Sequence, residues 1–157
     1  MKNISSKNLL EKNQLSTQSI NTIHNTSKKN SLNFTIQTNP RSKKNSSQII
    51  RVHGKTMLIP SKLYKQYEKD CAWFLPHLDK PIDYPINLKC IFYMPTKRRV
   101  DLCNLQEAIC DILVHYGVLK DDNRNIVASQ DGSLVLYDKL NPRTEVKISP
   151  IKNYEQW

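Results

Sequence analysis

Between Lys97 and Asn123 the chain reads KRRVDLCNLQEAICDILVHYGVLKDDN, and this stretch restricts the fold more than any other. Taken at 100° per residue from Asp101, the side chains of Leu102, Leu105, Ile109, Ile112, Leu113 and Tyr116 fall in a sector about 100° wide, the width of a core-facing stripe. The spacing therefore predicts an amphipathic helix, with Asp101 at its N-cap and Gly117 at a left-handed terminus. The opposite face carries Asn104, Glu107, Asp111 and His115. A polar face of that kind is ordinarily just solvated, so its acids acquire meaning only from what surrounds them. Three cations, Lys97, Arg98 and Arg99, precede the helix, and the adjacent pair Asp121 and Asp122 follows it.

A helix with one apolar stripe needs a surface to bury it against, and the flanking segments provide strands. INLKCIFYM, residues 86–94, alternates Ile86, Leu88, Cys90, Phe92 and Met94 with Asn87, Lys89, Ile91 and Tyr93, and Pro95 stops it. LNFTIQT, within Ser31 to Thr38, alternates and closes at Asn39-Pro40. QIIRVH and TMLIP flank His53-Gly54-Lys55 as a hairpin, in which His53 reads as a turn residue. Pro60-Ser61 opens another helix, with Ser61 placed to cap it. Leu63, Tyr67, Cys71, Phe74 and Leu78 give that helix a buried face, broadened by Tyr64 and Trp73, and Pro76 and the Pro81-to-Pro85 segment end it. NIVASQ, SLVLYD and RTEVKI complete the sheet as short strands, with turns at Asp131-Gly132 and Asn141-Pro142. The expected fold is α+β: a single domain with a mixed β-sheet packed against two main helices.

The flanks differ in composition. Residues 1–32, rich in Asn, Ser, Lys and Thr without sustained periodicity, read as a disordered arm, because such a segment buries too little apolar surface to offset chain entropy. The folded domain is expected over 33–150 and a loose tail over 151–157. A net charge of +10 favours a polyanionic partner, since clustered Lys and Arg release counterions from phosphates. Eight of the 24 Lys and Arg residues fall in residues 1–48 against one acid, Glu11, so the excess is concentrated at the front. The loop RSKKNSSQ, with Arg41, Lys43 and Lys44, has the composition of a phosphate-contacting element, and equally of a merely solvated loop. Arg143 stands at a strand entrance, where it is either structural or meets phosphate. Cys71, Cys90, Cys103 and Cys110 form no CxxC pair, and Cys103 and Cys110 stand about 10 Å apart by helical rise, too far to bridge. Reduced thiols and a cytosolic setting follow, and no apolar run is long enough to span a membrane.

The acids bracketing the central helix point to chemistry. Adjacent carboxylates repel unless a cation or hydrogen bonds offset the repulsion. Magnesium prefers carboxylate and water oxygens, and phosphodiester hydrolysis needs an activated water and charge neutralisation at the leaving oxygen. Asp101, Asp121 and Asp122 are the first-rank metal ligands on this reasoning, with Glu107 and Asp111 second. Lys97, Arg98, Arg99 and Lys120 are placed to position phosphate.

The order of motifs, an Asn-Pro followed by a basic loop, then PSKLYKQY, a strand ending in Pro, RRVDLCNL, the helix with Asp111, GVLKDD and NPRTEVKI, resembles the RusA family of Holliday junction resolvases over about residues 34–150. The resemblance implies a RusA-like fold and a homodimer that nicks opposing strands of a four-way DNA junction in recombination and repair. It also implies magnesium (Mg2+, with manganese, Mn2+, as a substitute) held by acids at the helix entrance and in the doubled pair, and an origin in bacteria or prophages. Two positions depart from the pattern. Cys103 stands where the family often has a second acid, and a thiol is a poor magnesium ligand. Glu107 stands where a lysine is frequent. Either Asn104 or Glu107 completes the coordination or turnover is reduced. The expected function is a magnesium-dependent, structure-selective endonuclease. The alternatives are a junction binder without catalysis and, last, a basic packaging protein without a metal site.

Overall fold

The computed structural model describes residues 30–44 and 47–152. In chain order the elements are β1 (Leu32–Ile36), β2 (Ser47–Val52), β3 (Lys55–Pro60), α1 (Lys62–Ala72), β4 (Ile86–Met94), α2 (Leu102–His115), β5 (Val127–Ser129), β6 (Leu134–Tyr137) and β7 (Arg143–Pro150). Most of the arm expected over 1–32, and all but Ile151 and Lys152 of the tail, lie outside the described residues; β1 begins at Leu32, one residue inside the expected arm.

Strand β4 organises the sheet. Its alternating sequence buries Ile86, Leu88, Cys90 and Phe92 on one face and leaves Asn87, Lys89, Ile91 and Tyr93 half-buried on the other. Along one edge β7 pairs with it antiparallel, and β1 pairs antiparallel with β7. Along the other edge lie two short parallel strands, β5 beside the start of β4 and β6 beside its end. A parallel neighbour requires a crossover. Helix α2, between β4 and β5, is that crossover, so its position over the sheet follows from topology. The result is the predicted mixed sheet with two helices.

Both helices share one core with the sheet, built from Tyr67 and Cys71 of α1, Leu105, Ile109, Ile112 and Leu113 of α2, and Ile36, Leu88, Phe92, Val146 and Ile148 of the strands. In α2 the predicted stripe holds at Leu105, Ile109, Ile112 and Leu113, while Leu102 is half-buried. Tyr116 departs from the expectation: it is the C-cap, exposed, with its ring edge-on to His115. Gly117 (φ 71°) ends the helix as predicted. Its N–H donates to Val114 O and the Val118 N–H to Leu113 O, the paired bonds of a Schellman terminus.

In α1 the predicted face is corrected. Tyr64, Tyr67 and Cys71 are buried, but Leu63 is 61% exposed and Trp73 is 87% exposed. The buried sector centres between Tyr64 and Tyr67, which leaves Leu63 at its solvent edge and puts position 73 about 180° from Tyr64. The helix also stops at Ala72 with Trp73 as C-cap, ahead of the prolines expected to end it. Ser61 caps the N-terminus as predicted, its Oγ accepting from the Tyr64 N–H at 3.1 Å.

Strands β2 and β3 form the predicted hairpin as a two-stranded sheet of their own. Its turn residues His53 and Gly54 both have positive φ, 51° and 77°, the mirror-image turn that matches strand twist. Among the described residues no helix is long and apolar enough to cross a membrane.

Candidate active site

Two local structures present the acids. Asp101 occupies the N-cap of α2 with extended backbone, and its C=O accepts from the Leu105 N–H. Its carboxylate makes no capping bond and instead accepts from Asn104 Nδ2 at 3.0 Å. The doubled acid is held differently. Val118 and Leu119 are buried, and this segment bonds to Ile82 in both directions, Ile82 N–H to Val118 O and Lys120 N–H to Ile82 O. That anchorage sets Asp121 and Asp122 just beyond the core.

The neighbouring carboxylates then behave oppositely. Asp121 accepts from Asn123 Nδ2 at 2.7 Å, the Asp122 N–H at 2.7 Å and the Asn123 N–H at 3.3 Å. These donors, the Asn123 amide foremost, hold its carboxyl below the usual range. Asp122 is raised, first by partial burial, then by its contact with Asp121 and by the negative charges of Asp121 and Asp111.

Asp122 shares a pocket of about 410 Å³ with Asp111, Val114 and His115 of α2, Tyr64 and Glu68 of α1, and Lys43 of the loop after β1. Lys43 Nζ lies 3.0 Å from Asp111 Oδ2, and that bond and charge raise its pKa. One turn toward the helix N-terminus, Lys44 Nζ is 3.1 Å from Glu107 Oε2. The Tyr64 side chain is 2% exposed, and its hydroxyl has no hydrogen-bond partner among the described residues. Burial, followed by the charges of Asp111 and Glu68, pushes its pKa up.

Of the five acids singled out in sequence, Asp111 and Asp122 are brought to one pocket, with Glu107 a turn away. Asp101 lies at the far end of α2, ten residues before Asp111 and so about 15 Å along the helix axis. Asp121 adjoins Asp122 but spends its oxygens on local donors. Among the described residues no three His, Cys, Asp or Glu side chains are grouped to hold a metal ion. Three carboxylate residues, Glu68, Asp111 and Asp122, line the pocket, and magnesium commonly takes one or two carboxylates and fills its shell with water and phosphate oxygens.

The basic residues also divide. Lys97, Arg98, Arg99 and Lys120 are exposed, with Lys97 Nζ 5.1 Å from the Tyr137 ring centre. Lys43 and Lys44 face acids of α2, and Arg41 is half-buried. Arg143 has a side chain 17% exposed, paired with Asp138 at 3.0 Å and Glu145 at 2.9 Å, and its guanidinium lies 3.5 Å over the Tyr93 ring. Cys103 is exposed, while Cys71, Cys90 and Cys110 are buried and all four are free thiols. Burial pushes the Cys110 thiol up to about 11.

Sequence reasoning missed Tyr64 and Glu68. Their four-residue spacing puts them on one helix face, but only the packing of α1 beside α2 shows that this face borders the acids. Comparison with characterised proteins gives no match. The family described as endodeoxyribonuclease RusA matches residues 33–149, most of the chain, and the chain belongs to that family.

Proposed function

We propose that this chain is a magnesium-dependent, structure-selective endonuclease that resolves four-way DNA junctions by paired nicks as a homodimer, with manganese able to substitute. The observation that carries the reading is the meeting of Asp111, Asp122 and the Lys43 ammonium in one pocket of a chain from an endodeoxyribonuclease family. Asp122 and Asp111 would hold the ion, with Asp101 and Asp121 remaining in the ligand proposal and Glu107 beside them. A bound magnesium ion would activate water and neutralise the leaving oxygen. Lys43, released from Asp111, can meet a phosphate oxygen, and the exposed Lys97, Arg98, Arg99 and Lys120 hold the flanking backbone. The setting is the cytoplasm of a bacterial or phage-infected cell.

The second reading, a junction binder without catalysis, is favoured by Cys103 in place of an acid and by the distance of Asp101 from Asp111 along the helix. Labelled four-way junctions incubated with the protein, with magnesium, manganese or chelator, separate the two. The nuclease cuts symmetrically only with metal, and Asp122→Asn abolishes cutting while binding persists. Binding without cutting in either metal selects the second reading, and an Asp122→Asn variant as active as wild type removes Asp122 from the metal site.

A further inference from the structure

The segment from Arg41 to Lys65 holds seven Lys or Arg residues and no Asp or Glu. Its centre is the β2–β3 hairpin, which pairs with no strand of the main sheet. Six residues in each strand give the ribbon a reach of about 20 Å. The register places Ile49, Arg51 and Thr56 on one face of the ribbon and Lys55 and Met57 on the other, and all five are exposed, Ile49 at 73% and Met57 at 50%. An isolated two-stranded hairpin is marginally stable in water, so a partner laid along this one would steady it.

Both roots of the hairpin are pocket-lining elements. Lys43 lies four residues before Ser47, where β2 begins, and Tyr64 four residues after Pro60, where β3 ends. A ligand in the pocket therefore touches residues within four positions of both ends of the ribbon. A two-stranded ribbon fits the major groove of a DNA duplex, and the exposed cations Arg51 and Lys55 suit its phosphates.

We infer that the β2–β3 hairpin is a DNA-gripping arm: it lies in a groove of one duplex arm of the substrate with its two faces toward the two groove walls, Ile49 and Arg51 on one and Met57 and Lys55 on the other, the cations reaching the phosphates, and so holds that duplex beside the acid-lined pocket. This rests on the reading of DNA as substrate. It assigns the grip to a segment separate from the basic run ahead of α2.

The test is the salt dependence of affinity for a four-way junction and a linear duplex, with junction cleavage followed in parallel. The double variant Arg51→Ala/Lys55→Ala should lower the slope of log K against log salt by about 2, and Thr56→Lys should raise it by about 1. Lys80→Ala/Lys139→Ala removes the same charge from exposed sites elsewhere and should leave the slope near wild type. Thermal unfolding of each variant confirms a folded protein. Wild-type slopes in both hairpin variants, or an equal fall in the control pair, overturn the arm. If cleavage persists while the slopes are unchanged, the arm fails and the nuclease reading stands. If no variant cleaves but the slopes move as expected, the arm stands and the nuclease reading fails.

Discussion

Asp121 and Asp122 are chemically identical neighbours with opposite environments, and their carboxyl groups shift in opposite directions. Asp121 is satisfied by three local donors, so its carboxylate shapes the turn. Asp122 is partly buried beside the like charges of Asp121 and Asp111, and burial first and those charges after it raise its pKa. A raised folded pKa favours the fold below the ordinary Asp range, and that contribution is lost as pH rises through the raised value. Asp122→Asn should therefore match or exceed wild type in stability at neutral pH, and its advantage should shrink as pH falls through the raised value into the ordinary Asp range. Thermal melts across that range check the sign, and cleavage by the same variant should fall by roughly 100-fold or more. Tyr64 makes a parallel case. A buried hydroxyl without a partner costs about 1–3 kcal/mol, so Tyr64→Phe should raise stability by up to about 1 kcal/mol.

The two helices meet the site through different ends. Ser61 caps α1 three residues before Tyr64 and seven before Glu68, so Ser61→Ala should cost about 1 kcal/mol in urea unfolding and loosen the pocket wall. The loop after β1 contacts α2 through two exposed ion pairs, Lys43 with Asp111 and Lys44 with Glu107. Each is worth about 0–1 kcal/mol, so alanine at either lysine should change the unfolding midpoint little. The raised pKa of Lys43 means its share is fully present at neutral pH and is lost only as pH rises through that raised value. A weak latch of this kind can release Lys43 to a phosphate. At this scale α2 was legible because its stripe and its glycine terminus are local signals. The face of α1 was not, because Leu63 and Tyr64 both fit an apolar spacing and only contact with the sheet selects Tyr64.

For the whole molecule, the acid-lined pocket sits within a strongly cationic chain, and that contrast is what a phosphate-cutting site requires: field to draw in DNA and carboxylates to hold a metal. Paired nicking needs two such pockets. Sedimentation equilibrium should give twice the mass of one chain, and a monomer that cuts one strand at a time would remove the paired mechanism while leaving the nuclease intact.

What the sequence determined by itself is what depends on neighbours along the chain. The alternation of Ile86 to Met94, the heptad-like stripe from Leu105 to Leu113, the Ser61 cap, the His53-Gly54 turn and the Gly117 terminus all rest on periodicity or backbone preference within a few residues. The family motifs were legible for the same reason. Only the tertiary structure decided which acids meet, because Asp111 and Asp122 are joined through the buried turn at Val118 and Leu119 and its bonds to Ile82, whereas Asp101 is held at the other end of a rigid helix. Likewise, nothing local in the sequence could place Lys43 on Asp111, 68 residues away, or seat Arg143 over the Tyr93 ring. The Lys43 contact depends on the crossing of α2 over the sheet, a consequence of parallel pairing between β4 and its short neighbours, and the Arg143 contact on the antiparallel register that sets Arg143 of β7 opposite Tyr93 of β4.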